Sequence, residues 1–206
     1  MMNENLENRQ KLIDCAKKEF MEKGFSKASL RKISADAGLT TGAIYFFFKD
    51  KNGLFGAIVD EPLNKVMQIV MTHYSAEQQE DFSVYEQSSG DHDEFAEQLI
   101  PAMYENRDAL LLLLEKSAGS RYEDTVDKII NLTDQAYAEL AKKYAASCPG
   151  KKVDEYMLHW FSHVQINAFV HLITHEPDEK KALKHIKPII DYMVKEWIEL
   201  TLEDDV

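Results

Sequence analysis

Thr40, Thr41 and Tyr45 stand close together beside Gly42 and ahead of Lys49 and Lys51, in the stretch Ser29 to Lys51, SLRKISADAGLTTGAIYFFFKDK. Hydroxyls that both donate and accept, a glycine that admits close approach, and flanking cations are groups that hydrogen-bond base edges and phosphates. A second chemistry is open further on. Glu155, His159 and His163 lie at i, i+4 and i+8, and His171 and His175 form another i, i+4 pair, the spacing by which one helix face presents two imidazoles to a metal. Exposed or interfacial histidines are the plainer reading. No His-Glu-x-x-His occurs, and no ligand set with a general base can be assembled, so a zinc hydrolase is not indicated. Cys15 and Cys148 lack CxxC spacing and read as two reduced thiols. Nothing calls for a cofactor.

The elements that would position the first group are two short helices. Ser29 suits an N-cap, Leu30, Ile33 and Ala37 recur at helical spacing, and Gly38 is the residue type that leaves a helix in a left-handed conformation. Thr40 suits the next N-cap, after which Ile44 and Phe48 share a face while Thr41, Gly42 and Tyr45 point elsewhere. Two helices joined so tightly cross steeply, with a small residue at the contact and an apolar lock, roles that Ser34, Gly38 and Ile44 fit. A polar tail to about Leu6 precedes a supporting helix over 7–23, with Leu12, Ile13, Ala16 and Phe20 as its stripe and Gly24 as its stop. Asp50 suits the N-cap of a fourth helix, with Lys51 in its first turn. Gly53 weakens that start by about 1 kcal/mol relative to alanine, and Pro62 is expected to kink it.

The run Gly38 to Lys51, preceded by Ala16-x3-Phe20-x3-Gly24-Phe25 and Leu30-x2-Ile33-x3-Ala37-Gly38, resembles the N-terminal DNA-binding domain of TetR-family transcriptional regulators over roughly residues 8–58. The remainder is similar to the family only in length and helical character. The resemblance implies that Thr40, Thr41, Gly42 and Tyr45 face bases and phosphates, and that Ser29, Arg31 and Lys51 hold phosphates. It departs at Phe46 and Phe47, where the family commonly has Tyr, His or Trp, because phenylalanine has no donor. Either these rings only pack, or one meets a thymine methyl.

The net charge of −12 would repel DNA as a whole. Residues 1–55, however, hold ten Lys or Arg against seven Asp or Glu, a net of +3, and the remainder 14 against 29, a net of −15. The cations include Lys17, Lys18, Lys27, Arg31, Lys32, Lys49 and Lys51, at the candidate DNA face. No apolar run, 109–114 included, is long enough to cross a bilayer, and no signal-peptide core opens the chain. A cytoplasmic protein without a membrane partner is expected.

Residues 75–94 read as a polar, acidic loop, followed by a helical signal broken at Pro101. The run Ala109 to Leu114 is apolar on all sides and reads as a buried central helix. A further helix is expected over 120–147, and two more over 153–175 and 179–203. Leu183, Ile186, Ile190, Met193, Trp197 and Leu200 follow 3-4-3-4-3 spacing, and Met157, Phe161, Val164 and Ala168 follow 4-3-4. Both stripes could serve an intramolecular core. The resemblance instead implies a homodimer joined by these helices, with two heads reading a palindromic operator about 34–36 Å apart. It also implies a small-molecule pocket in the C-terminal part, for which Met103, Tyr104, Tyr122, Tyr137, Trp160 and Phe169 are candidates, although core packing alone also accounts for them.

The expectation is thus an all-α protein, with a helix-turn-helix DNA-binding domain over 1–55 and a helical-bundle ligand-binding and dimerisation domain over 56–206. Its expected function is that of a homodimeric repressor, not an enzyme, released from double-stranded DNA by a small, mostly apolar effector. A metal-responsive regulator using the histidine faces is the alternative, and an enzyme or scaffold on the same fold a distant third.

Overall fold

The computed structural model describes residues 2–79 and 91–205. Its helices, in chain order, are α1 (Met2–Lys27), α2 (Leu30–Asp36), α3 (Thr41–Phe48), α4 (Lys51–Glu77), α5 (Asp91–Glu105), α6 (Arg107–Lys116), α7 (Thr125–Ser147), α8 (Glu155–His175) and α9 (Glu179–Thr201). Strands β1 (Lys151–Val153) and β2 (Leu202–Asp204) pair antiparallel, Lys152 opposite Glu203. The all-α expectation holds apart from this short ribbon, which is too brief to leave a periodicity in the sequence. Among the described residues no helix is long and apolar enough to cross a membrane. The chain forms two compact units, Met1–Lys65 with Asn106–Thr125, and Val66–Glu105 with Val126–Val206.

In the first unit, Leu12, Ala16 and Phe20 of α1 are fully buried, as their spacing predicts. The helix starts at Met2, not after a polar tail. Gly24, at φ 72 and ψ 164, breaks its regular geometry, and a last turn follows to Lys27. This break lets Phe25 join Phe20 and Phe55 in a cluster with ring centroids 5.1–5.9 Å apart. The leucine-rich α6 packs on α1, and Lys17 pairs with Asp108 at 3.1 Å. Ala109, Leu110, Leu112 and Leu113 are buried, while Leu111 and Leu114 are only partly covered. The run expected at the centre of a bundle is therefore a one-sided buttress for α1. Past α6, the Tyr122 hydroxyl donates to Asp60 at 2.6 Å. Burial raises the Tyr122 pKa, and the acceptor Asp60 adds to that.

In the second unit α9 packs on α5 and α8. Lys187 bonds Glu97 at 2.6 Å and pairs with Asp93 at 3.4 Å, pinning α9 to α5. The 75–94 loop is displaced by helix at both ends, since α4 reaches Glu77 and α5 starts at Asp91. Its centre, 80–90, lies outside the described residues. α5 also continues through Pro101 to Glu105. α7 starts at Thr125, later than expected, and α9 ends at Thr201, where the chain turns into β2. Tyr74 and Thr133 join α4 to α7 through buried hydroxyls 2.9 Å apart. Thr133 donates onward to the Ile129 carbonyl at 3.0 Å, so Tyr74 is the donor of the pair. Burial pushes the Tyr74 phenol up to about 12, which keeps that proton in place.

Candidate nucleic-acid interface and interior cavity

The helix-turn-helix is assembled by local bonds. Ser29 caps α2 by accepting from the Lys32 N–H at 3.3 Å. Its own N–H donates to buried Glu19 of α1 at 3.1 Å. Gly38, at φ 69, ends α2 in a Schellman arrangement, with Leu39 N–H on the Ser34 carbonyl and Gly38 N–H on the Ala35 carbonyl. Buried Ser34 sits where a small residue is needed, its hydroxyl 3.2 Å from that of Thr41. Ile44 and Phe48 are buried, locking α3 down. Thr40 occupies the N-cap of α3 but makes no side-chain capping bond.

Lys49, with φ 69 and ψ −47, forms a strained γ-turn closed by the Asp50 N–H on the Phe48 carbonyl at 2.8 Å. No sequence signal marks a non-glycine residue for that conformation. Asp50 then caps α4, accepting from the Gly53 N–H at 2.8 Å. Gly53 fits a tight place: a Cβ there would overlap the Phe48 carbonyl oxygen.

Of the DNA-face candidates, Ser29, Arg31, Thr40, Gly42, Tyr45, Phe46 and Lys49 are exposed, and Thr41 and Lys51 are half-buried. Phe46 is 75% exposed, with an edge contact to Phe47 at 4.9 Å; Phe47 is partly covered. Packing alone therefore describes Phe47 better than Phe46. Lys51 turns toward α1, donating to the Ser26 carbonyl at 3.2 Å with its ammonium 4.9 Å from the Phe25 ring centre. Burial lowers its pKa, against the pull of Glu19. Lys32 is held by Asp36 at 2.7 Å and by Glu19 at 3.3 Å, and both partners raise its pKa.

The stripes read as a dimer seam are spent inside the protomer. Phe161, Ile186, Ile190, Met193 and Trp197 are buried, because α5 and α7 cover that side of α8 and α9. Val164, Ala168 and Leu200 are half-buried. The apolar side chains displayed by α8 and α9 are instead Tyr156, Trp160, Ile189 and Tyr192.

Phe161, Ile190, Met193 and Trp197 help enclose a cavity of about 30 Å³, together with His73, Glu77, His92, Phe95, Tyr137, Leu140, Gln165 and Val194. Of the expected pocket residues, Tyr137 lines it, and Phe169 backs Phe95 at 6.2 Å. Met103 is core. Tyr104 donates to the Glu176 carbonyl at 2.6 Å, tying α5 to the end of α8. Two are misplaced: Trp160 is 46% exposed, and Tyr122 belongs to the first unit, bonded to Asp60. Three buried polar atoms on the cavity residues lack a hydrogen-bond partner among the described residues: Glu77 Oε2, Gln165 Oε1 and Trp197 Nε1. Gln165 does donate its amide to the Tyr137 hydroxyl at 2.8 Å.

The histidine faces singled out by spacing have other arrangements. His159 bonds Asp134 of α7 at 2.5 Å and lies 3.1 Å from His163, whereas His171 and His175 stack at 4.2 Å. Among the described residues the group of three competent to hold a metal is His73, Glu77 and His92. The His73-x3-Glu77 spacing is present in the sequence, but it runs into the polar stretch 75–94, whose composition masks the end of α4, and His92 joins only through the fold.

Residues 12–58 match the family model described as bacterial regulatory proteins, tetR family. The transcriptional regulator AcrR of Shigella flexneri is 48% identical over 52 residues, 25% of this chain and 24% of that protein. The transcriptional repressor BepR of Brucella suis is 39% identical over 56 residues, 27% of each. The chain thus matches about a quarter of the length of these relatives. In overall fold it is similar to NalD, the secondary repressor of the MexAB-OprM multidrug efflux pump in Pseudomonas aeruginosa, with a TM-score of 0.58 at 18% identity, covering 89% of this chain and 95% of that one. The capped helices α2 and α3 lie wholly inside the matched stretch, so over residues 12–58 the chain is similar to bacterial regulatory proteins of the tetR family.

Proposed function

We propose that the protein is a cytoplasmic, homodimeric transcriptional repressor that leaves a palindromic operator when a small effector binds its second unit. The observation that carries the DNA reading is the outward face of α3. Thr40, Gly42, Tyr45, Phe46 and Lys49 are exposed there while Ile44 and Phe48 hold the helix in place. A 75% exposed phenylalanine is costly in water unless something covers it, and a thymine methyl or sugar is an apolar surface of the right size. Arg31 and Ser29, exposed at the start of α2, are the phosphate-side partners in this reading.

Two heads are needed because one short helix makes few base contacts, and paired half-sites add their free energies. Support for self-association comes from Tyr156, Trp160, Val164 and Ala168, which step by four along α8, and from Ile189 and Tyr192 on α9. Tyr156, Trp160 and Tyr192 are 74%, 46% and 66% exposed.

The effector reading rests on the three orphaned atoms of the cavity. Buried polar groups are nearly always paired, so two acceptors and one donor without partners around an apolar space suit a mostly apolar molecule carrying a few polar groups. At about 30 Å³ the cavity holds no more than a water-sized guest as it stands. An effector therefore opens it, toward the adjoining cleft of about 360 Å³ that shares His73, Glu77, His92 and Phe95. α4 carries Lys51 at one end and Glu77 at the other, so a shift of this helix serves both sites. The effector must favour the arrangement that does not bind DNA.

The test is binding of the purified protein to DNA upstream of its own gene over a range of salt. Tight binding to a palindrome, weakening steeply with salt, is expected. Weak binding of equal strength to all sequences overturns the reading.

A further inference from the structure

The geometry points to a divalent transition-metal site, of the zinc class, formed by His73 and Glu77 of α4 with His92 of α5. One ligand atom from each lies within 4.8 Å of the others. His73 Nε2 is 3.3 Å and His92 Nδ1 is 3.9 Å from the same Glu77 oxygen, Oε1. A tetrahedral zinc ion takes imidazole nitrogen and carboxylate oxygen at about 2.0–2.2 Å, which sets its ligand atoms roughly 3.4 Å apart. Small side-chain movements would therefore close the set.

A second, independent observation points to a cation. Glu77 is only 6% exposed, and its other oxygen, Oε2, has no hydrogen-bond partner among the described residues. A carboxylate buried this deeply is stable when a positive charge shares the site. The site is also held in place: the His73 ring stacks on Phe95 with centroids 4.0 Å apart, which fixes how the imidazole is presented. Two imidazoles and one carboxylate are borderline ligands suited to zinc and its neighbours, not to calcium or magnesium. Because three protein ligands leave a tetrahedral ion one position short, a water or a donor group of a guest would complete it. All three residues line both the apolar cavity and the adjoining cleft, so that open position is reachable from either space.

The metal site stands on its own geometry and does not rest on the proposed regulatory function. The experiment titrates metal-stripped full-length protein with Zn²⁺ against a chelating indicator, then with Co²⁺, whose visible spectrum reports tetrahedral coordination. The expected result is one metal per chain, with affinity lost by on the order of 100-fold or more in both Glu77→Gln and His92→Gln. The His159→Ala/His163→Ala variant should bind as the parent does. Circular dichroism verifies that each variant keeps its helices, and two variants on different helices guard against one that misfolds.

The proposal is overturned if the parent takes up no stoichiometric Zn²⁺. It is equally overturned if His159→Ala/His163→Ala abolishes binding, or if the cavity variants leave it unchanged. Operator binding by the metal-free protein is measured separately, so failure of the metal site and failure of the DNA reading remain distinct outcomes.

Discussion

The ammonium of Lys51 donates to the carbonyl of Ser26 at 3.2 Å, tying the first turn of α4 to the last turn of α1. An ammonium has three donors, so one bond to Ser26 leaves others for a phosphate. Lys51→Met keeps the stem over Phe25 and removes the charge. The prediction is a stability loss of about 1 kcal/mol, together with a fall of about 0.9 in the salt slope of operator binding. Thermal melts and salt titrations separate the two effects. A stability loss with an unchanged slope would leave Lys51 a purely structural residue.

The Phe48 carbonyl closes the γ-turn at Lys49 and lies where a Cβ on Gly53 would go. Helix propensity alone expects Gly53→Ala to stabilise α4 by about 1 kcal/mol. We predict the opposite sign, a destabilisation of about 1–3 kcal/mol, because the clash is with backbone that cannot turn aside. Denaturant unfolding decides, and a more stable variant refutes the assignment.

Phe46→Ala removes an exposed ring whose ring contact is Phe47. Stability should change by less than about 0.5 kcal/mol, while operator affinity falls by about 1–3 kcal/mol if the ring reads a base. Equal affinity for parent and variant on the same operator would assign Phe46 no part in binding.

Trp160→Glu combined with Tyr192→Glu places charge on the exposed faces of α8 and α9. The expected outcome is a monomer by light scattering, with helical content kept and operator affinity down on the order of 100-fold or more as one half-site is lost. A variant that stays dimeric moves the interface elsewhere.

Thr133→Val strands the buried Tyr74 hydroxyl, whose acceptor is the Thr133 oxygen. A loss of about 1–3 kcal/mol is expected, with partial recovery when Tyr74→Phe is added, because removing both polar groups avoids the unpaired donor. Additive losses in the double variant would contradict the pairing.

The local backbone decisions are written in neighbouring residues. The cap at Ser29, the left-handed exit at Gly38, the cap at Asp50 and the small contact at Ser34 were all legible, because each depends on residues within a few positions. The candidate DNA face was legible for the same reason, and its motif carried the family resemblance. Tertiary structure decided which face of each amphipathic helix is covered. Ile186, Ile190 and Trp197 show the same spacing whether they meet α5 and α7 or a second protomer, and only the packed bundle chooses. It also decided partners distant in the chain: α6 against α1, Tyr122 against Asp60, and His92 beside His73 and Glu77. Periodicity records that a residue is apolar or polar on one side of a helix. It holds no information about which other helix arrives there, and that choice made both the cavity and the candidate metal site.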